Sequence, residues 1–123
     1  MTKILMCGKN DMLHVLKKRL DGMFDVKVTL IDLIHERLDS RTIFYQIENT
    51  DILIVDINTI SNRFEPYFMT GVGKAKNKFV IGVAPKDYLI THLNAVLSDK
   101  FLIDICDKIY DYDELLESIG DLL

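Results

Sequence analysis

The sequence predicts an α/β chain, a parallel sheet of five strands with helices on both faces, and three observations carry that reading. The apolar runs KILMC (3–7), DILIVDI (51–57) and KFVIGV (78–83) are continuous rather than alternating, as strands covered on both faces require. Segments of helical periodicity separate them. Turn formers punctuate the change from one to the other, at Gly8-Lys9-Asn10-Asp11, at Gly22 and at Pro85.

Taken in order, KILMC is the first strand, and Met12, Leu13, Leu16 and Leu20 mark the apolar stripe of a first helix. Asn10 or Asp11 is its expected cap, and Gly22 its stop. VKVTLIDL (26–33) is a second strand, followed by the polar stretch HERLDS. Ile43 and Ile47 mark one face of a second helix, with Ser40 as expected cap. DILIVDI is the third strand, residues 66–76 the third helix and KFVIGV the fourth strand. A weaker helical pattern covers 87–98, FLIDIC (101–106) is the expected fifth strand, and DYDELLESIGDLL closes with an amphipathic helix. Right-handed crossovers leave few topologies for this alternation. The expected one is a flavodoxin-like, Rossmann-like three-layer sandwich of strand order 2-1-3-4-5, forming a single domain over 1–123.

Composition narrows the function classes. The chain of 123 residues is 49% hydrophobic and 28% charged, with a net charge of −4. That balance argues against a sequence-independent grip on extended nucleic acid, which needs a basic surface to displace counterions. Cys7 and Cys106 each sit inside an apolar run, as small buried hydrophobes in a reducing compartment do. No apolar run approaches the roughly 20 residues of a membrane span, and no signal-peptide pattern opens the chain, so a cytoplasmic location is expected.

Ligands of such sheets sit outside the carboxyl ends of the strands, where the strand order reverses. That places a pocket among Gly8, Lys9 and Asn10, the segment from Asp56 to Asn62, and the first turn of the third helix. Ala84 to Asp87 form one rim. GKND (8–11) lacks the spacing of a phosphate-binding P-loop, and GVGKAKNK lacks the third glycine of a dinucleotide fingerprint. Gly71 and Gly73 have a simpler use, letting the third helix lie close to the sheet. His14, His35 and His92 show no ligand spacing, so neither a metal nor a cofactor is expected. Lys74, Lys76 and Lys78 read as a solvated face.

Asp56, at the carboxyl end of a buried strand, is either functional or a cap for the following loop. Asn58, Asn62 and Arg63 offer donors and acceptors in that loop, or simply its turn chemistry. Glu65 is either part of an Asn62-x-x-Glu65 capping box ahead of Pro66, or a nucleophile or ribose-hydroxyl acceptor at a positive helix terminus.

From Asp51 to about Lys100 the chain resembles the nucleoside 2-deoxyribosyltransferase family. DILIVDI, Gly71, Lys78 with FVIGV, and APKDY match its frame of strand, Glu-x-Gly-x-Ala-x-x-x-Gly-Lys and hydrophobic strand. The resemblance implies a flavodoxin-like fold and covalent transfer of deoxyribose through a glutamate. Counting back nine from Lys78, that glutamate position falls on Met69, whose thioether cannot form the ester. The position of the family's base-holding aspartate falls near Arg41, Thr42 and Ile43. The expectation is therefore a ligand-binding protein on this scaffold, taking a nucleoside, nucleotide or related ribosylated molecule without a covalent sugar intermediate. Lys9, Asn10 and Arg63 would meet phosphate, and Asp56 and Asn58 the ribose hydroxyls. Met69, with Tyr67 or Phe68, would meet the base. Sequestering a nucleotide signal, as a phage-encoded antagonist of host immunity would, is one use of such binding.

Two alternatives stand beside it. One is an N-glycosidic-bond hydrolase or transferase with Glu65 as nucleophile and Asp56 as helper. Glu65 lies four residues before Met69, about 6 Å nearer the helix N-terminus. The other is a protein-interaction module. The resemblance implies oligomers in which a neighbour's C-terminal region completes each pocket, and Leu115, Leu116, Ile119, Leu122 and Leu123 would serve either that homo-oligomer or the sheet.

Overall fold

A computed structural model of the chain describes residues 1–58, 64–92 and 104–122. The strands are β1 (Thr2–Gly8), β2 (Val26–Asp32), β3 (Ile52–Asp56), β4 (Phe79–Ala84) and β5 (Lys108–Asp111). The helices are α1 (Met12–Asp21), α2 (Ser40–Glu48), α3 (Phe64–Ala75), α4 (Lys86–His92) and α5 (Tyr112–Leu122). All strand pairs are parallel, in the order β2-β1-β3-β4-β5, the doubly wound arrangement that the alternation of runs and stripes predicts. Among the described residues no helix is long and apolar enough to cross a membrane.

Alternation along each strand sends successive side chains to opposite faces. Ile4, Met6, Ile54, Ile81 and Val83 meet Leu13, Leu16 and Leu20 of α1 and Tyr112, Leu115 and Ile119 of α5. Leu5, Cys7, Leu53, Val55 and Val80 meet Ile43 and Ile47 of α2 and Met69 of α3. Leu116 and Leu122 also pack against the first of these cores. The apolar stripe of the closing helix is thus directed at the sheet; Leu123 lies outside the described residues.

Several local expectations change in detail. The side chain that satisfies the start of α2 belongs to Asp39, whose Oδ1 accepts from the Thr42 N–H at 2.7 Å; Ser40 is already helical. At α1, Asp11 occupies the cap position without a side-chain bond, and Asn10 Oδ1 accepts from the Met12 N–H at 2.9 Å instead. The third helix ends on Asn77 at φ 60°, with the Lys78 N–H donating to the Gly73 carbonyl at 2.8 Å. Of the two α3 glycines, only Gly73 is needed for close approach. An added Cβ there would stand 3.1 Å from Leu53 Cδ2 and 3.3 Å from Val80 Cγ2, whereas at Gly71 it would meet nothing within 4 Å.

The fifth strand is not FLIDIC but the following KIYD. Residues 104–105 are helical, and 101–103 lie outside the described residues. Asp107 sets this register. Its Oδ2 accepts from the Val80 N–H at 2.8 Å, its Oδ1 from Lys74 Nζ at 2.6 Å, and its own N–H donates to the Val80 carbonyl at 2.8 Å. Ile105 and Cys106, read as strand residues, instead pack beneath it. A short apolar run does not by itself tell a strand from a buried helical turn. Cys7 and Cys106 are both free thiols, and burial pushes the Cys106 thiol up to about 12, with Asp107 adding to the effect.

Candidate functional site at the carboxyl edge

The strand order reverses between β1 and β3, so the crevice of this sheet opens beside Gly8 and Asp56. The two chains come very close there. A Cβ on Gly8 would lie 2.6 Å from Asp56 Cβ and 2.7 Å from Leu13 Cδ1. Asp56 is fully buried on the face covered by α1 and α5. The Tyr112 hydroxyl, at the start of α5, donates to Asp56 Oδ2, and the Asn58 N–H donates to Oδ1 at 2.8 Å. Asn58 therefore contributes a backbone donor that closes the turn after β3.

Burial pushes the Asp56 carboxyl above its ordinary range, while the Tyr112 hydroxyl and the Asn58 N–H pull it partly back. Burial, followed by the field and hydrogen bond of Asp56, also raises the Tyr112 phenol. An acid whose folded pKa is raised contributes stability that is complete below the unfolded value, 3.8, and is lost as pH rises through the folded value. Asp32, Asp39, Asp107 and Asp111 are shifted downward, so their linkage acts below that window. Asp56→Asn is accordingly expected to gain on the parent chain as pH rises above about 4. Urea midpoints of both proteins across pH 4–8 read this directly, and a gap between them that stays constant contradicts it.

On the other side of Gly8, the end of β2 folds into a compact turn. Gly8 pairs with Asp32 in register, and the Leu33 N–H donates to the Gly8 carbonyl at 2.9 Å. Asp32 Oδ1 accepts from the Ile34 N–H at 2.9 Å, and Glu36 Oε2 accepts from the Asp32 N–H at 3.0 Å. His14 Nε2 lies 3.0 Å from Asp32 Oδ2. Burial raises the Asp32 carboxyl, but the Ile34 N–H, the His14 bond and the fields of His35 and His14 outweigh it and hold the group below its ordinary value.

This turn and Lys9 border an open depression of about 630 Å³, lined by Lys9, Leu33, Ile34, His35, Glu36 and Arg37. The Glu36 carboxylate is committed to the Asp32 N–H within the turn. The lining thus combines the Lys9 and Arg37 cations with one carboxylate, an imidazole and apolar Leu33 and Ile34, a balance of a single positive charge. Such a surface accepts an anionic group with an apolar body beside it.

The residues expected to share one pocket lie in several places. Gly8, Lys9, Asn10, Asp56 and Asn58 gather at the reversal of strand order. Arg41 and Phe68 line a different depression of about 410 Å³, on the outer face of α2 and α3 with Phe44 and Tyr45. Tyr67 is half-buried against Ile57, Ala84 and Leu89. Asn62 and Arg63 lie outside the described residues. Glu65 is 2% exposed and engaged within the fold, on the buried side of α3.

Met69 moves furthest from its expected place. It is wholly buried among Leu5, Ile43, Ile47, Leu53 and Val80, so it is a core residue and not the floor of a cleft. The phase of α3 decides this, because Glu65, Met69 and Gly73 lie at spacings of four on the sheet-facing side.

The lysines at the end of α3 and just after it are likewise tied down. Lys74 pairs with Asp107, and Lys76 with Glu48 at 2.5 Å while its Nζ stands 4.3 Å over the Phe44 ring. Sequence reasoning missed Tyr112, His35 and Arg37. The signal for the last two was present, as an imidazole and a guanidinium in a polar stretch just past the carboxyl end of a strand. Nothing in DYDELL marked the tyrosine as a partner for Asp56.

Among the described residues no three His, Cys, Asp or Glu side chains gather to hold a metal ion. No protein-family model matches the chain, and no curated protein matches it.

Proposed function

We propose that the chain binds a nucleoside- or nucleotide-derived small molecule at the carboxyl edge of its sheet, without covalent glycosyl transfer. The observation that carries this reading is the depression of about 630 Å³ at the carboxyl ends of β1 and β2, where Lys9 and Arg37 meet Leu33 and Ile34. No hydrogen bond or ion pair occupies Lys9 or Arg37 among the described residues, so both cations can turn to a phosphate. The apolar pair offers a surface for a base or a sugar face. Asn10 spends its side-chain oxygen on Met12, which leaves its amide for the ligand.

Met69 and Glu65 support the part of this reading that excludes covalent transfer. The position that the resemblance assigns to the attacking glutamate holds a buried thioether, and Glu65 does not line the cavity. Binding without turnover suits sequestration of a nucleotide signal.

Thermal shift and equilibrium dialysis against nucleosides, nucleoside monophosphates and cyclic nucleotides test the reading. At least one ligand is expected to stabilise the parent chain. The Lys9→Gln/Arg37→Gln double variant is expected to lose that affinity about tenfold or more with an unchanged melting temperature in buffer. No shift with any member of the panel, or release of free base from a deoxynucleoside, sinks it.

A further inference from the structure

We infer that the amino edge of the sheet carries an anion site of its own, which takes phosphate, either free or as the end group of a small ester. A depression of about 240 Å³ lies there, where Lys3, Lys27 and Thr29 of the sheet face Tyr45, Gln46 and Asn49 at the end of α2. Lys3 is five residues from Gly8 along β1, about 16 Å, so this site is separate from the one bordered by Lys9 and Arg37. Its volume falls below the roughly 300–1,000 Å³ of pockets that enclose drug-sized ligands. That limits the body attached to a phosphate to about the size of one sugar.

The pair of lysines carries the argument. Lys3 and Lys27 are partners in the parallel register of β1 and β2, so their backbones stand about 5 Å apart and their side chains leave the same face. Like charges side by side on neighbouring strands are destabilising. Among the described residues no hydrogen bond or ion pair relieves either ammonium, and no carboxylate lines the depression. Asp51 Oδ2 accepts from the backbone N–H of Lys3 at 2.8 Å, on the β3 side of β1. A lysine on the free edge of β2 discourages pairing with another chain, which accounts for Lys27 but not for Lys3 beside it on an inner strand. A phosphate between the two ammonium groups turns the repulsion into two charge-assisted hydrogen bonds. The end of α2 leaves no bare carbonyl to oppose it. The Tyr45, Gln46 and Ile47 carbonyls already accept from the Asn49 amide, the Thr50 hydroxyl and the Thr50 N–H. Thr29 and Gln46 add a hydroxyl and an amide to the lining, and the exposed Tyr45 ring offers a face to the attached body.

Calorimetric titration of the Lys9→Gln/Arg37→Gln variant with inorganic phosphate and with glycerol phosphate, at an ionic strength held by chloride, reads this site apart from the carboxyl edge. Both probes are expected to bind, and adding Lys3→Gln or Lys27→Gln is expected to weaken them about tenfold or more. Tighter binding of glycerol phosphate assigns the site to an ester, and equal or weaker binding assigns it to free phosphate; either result upholds the inference. Urea midpoints provide a second measurement. Phosphate in the millimolar range is expected to raise the midpoint of the Lys9→Gln/Arg37→Gln protein, and to leave unchanged that of the same protein carrying Lys27→Gln. Absence of binding, or binding that survives both lysine changes, overturns the inference. So does a phosphate-dependent midpoint shift of equal size with and without Lys27, because general exclusion of the salt from the protein surface would produce it. The nucleotide reading is tested at Lys9 and Arg37 and stands or falls separately.

Discussion

Met69→Glu is expected to unfold the chain and not to restore a nucleophile. The side chain at this position has no exposed surface and packs among Leu5, Ile43, Ile47, Leu53 and Val80, between the sheet and the α2–α3 layer. A carboxylate there has no charged partner among those neighbours. It must stay neutral at a large cost in pKa, drag water in, or push α3 off the sheet. Leaving a buried charge uncompensated costs about 3–5 kcal/mol, and the lost apolar packing adds to that. Set against a typical total stability of about 5–15 kcal/mol, the variant should have little or no folded population at 37 °C. Met69→Leu keeps the volume and polarity of the site and should cost under about 1.5 kcal/mol. Urea denaturation followed by circular dichroism compares the two. A Met69→Glu protein with parental stability would mean that position 69 reaches the cleft after all, and base release by that variant would revive the transfer chemistry.

The misreading of Met69 shows where the sequence stops being legible. Strands β1, β3 and β4 were plain because their apolar runs are unbroken, and a sheet buried on both faces needs nothing subtler. The strand order followed from handedness rules; it pointed to a crevice between β1 and β3, whereas the depression that gathers Lys9 and Arg37 lies on the β2 side of Gly8. Helix phase was harder. The sheet-facing stripe of α3 includes Glu65, Thr70 and Gly73 as well as Met69, while half-buried Tyr67, Phe68 and Val72 stand beside it. Hydropathy therefore does not single out the inner face. Thr70 is tolerated inside because its hydroxyl donates to the Pro66 carbonyl at 2.5 Å, a bond no pattern of residue types announces. The Asp56–Tyr112 contact joins residues 56 positions apart, beyond any local signal. Lys9 was named from the sequence, but its grouping with His35 and Arg37 was not, because these side chains come to one depression only once Leu33 docks on Gly8.

Gly8→Ala is expected to be the costliest single-methyl change at the carboxyl edge, at about 2–3 kcal/mol of stability. The backbone of Gly8 does not occupy the left-handed region, so its conformation is open to alanine and the cost is one of space alone. The new methyl would overlap Asp56 Cβ at 2.6 Å and Leu13 Cδ1 at 2.7 Å. The leucine end can rotate away, but Asp56 Cβ is fixed by its strand, by the Tyr112 hydroxyl and by the Asn58 N–H. Relief must therefore come from separating β1 and β3 at the point where the strand order reverses. That movement would also displace Lys9 and the Leu33 N–H bond that seats the β2 turn, so ligand affinity should fall together with stability. Gly71→Ala provides the contrast on the same chain. Its methyl meets nothing within 4 Å, and replacing a helical glycine by alanine should gain about 0.5–1 kcal/mol. Thermal or urea melts of the two variants should move in opposite directions. Equal, small shifts would show that β1 and β3 do not approach as closely as Gly8 and Asp56 require.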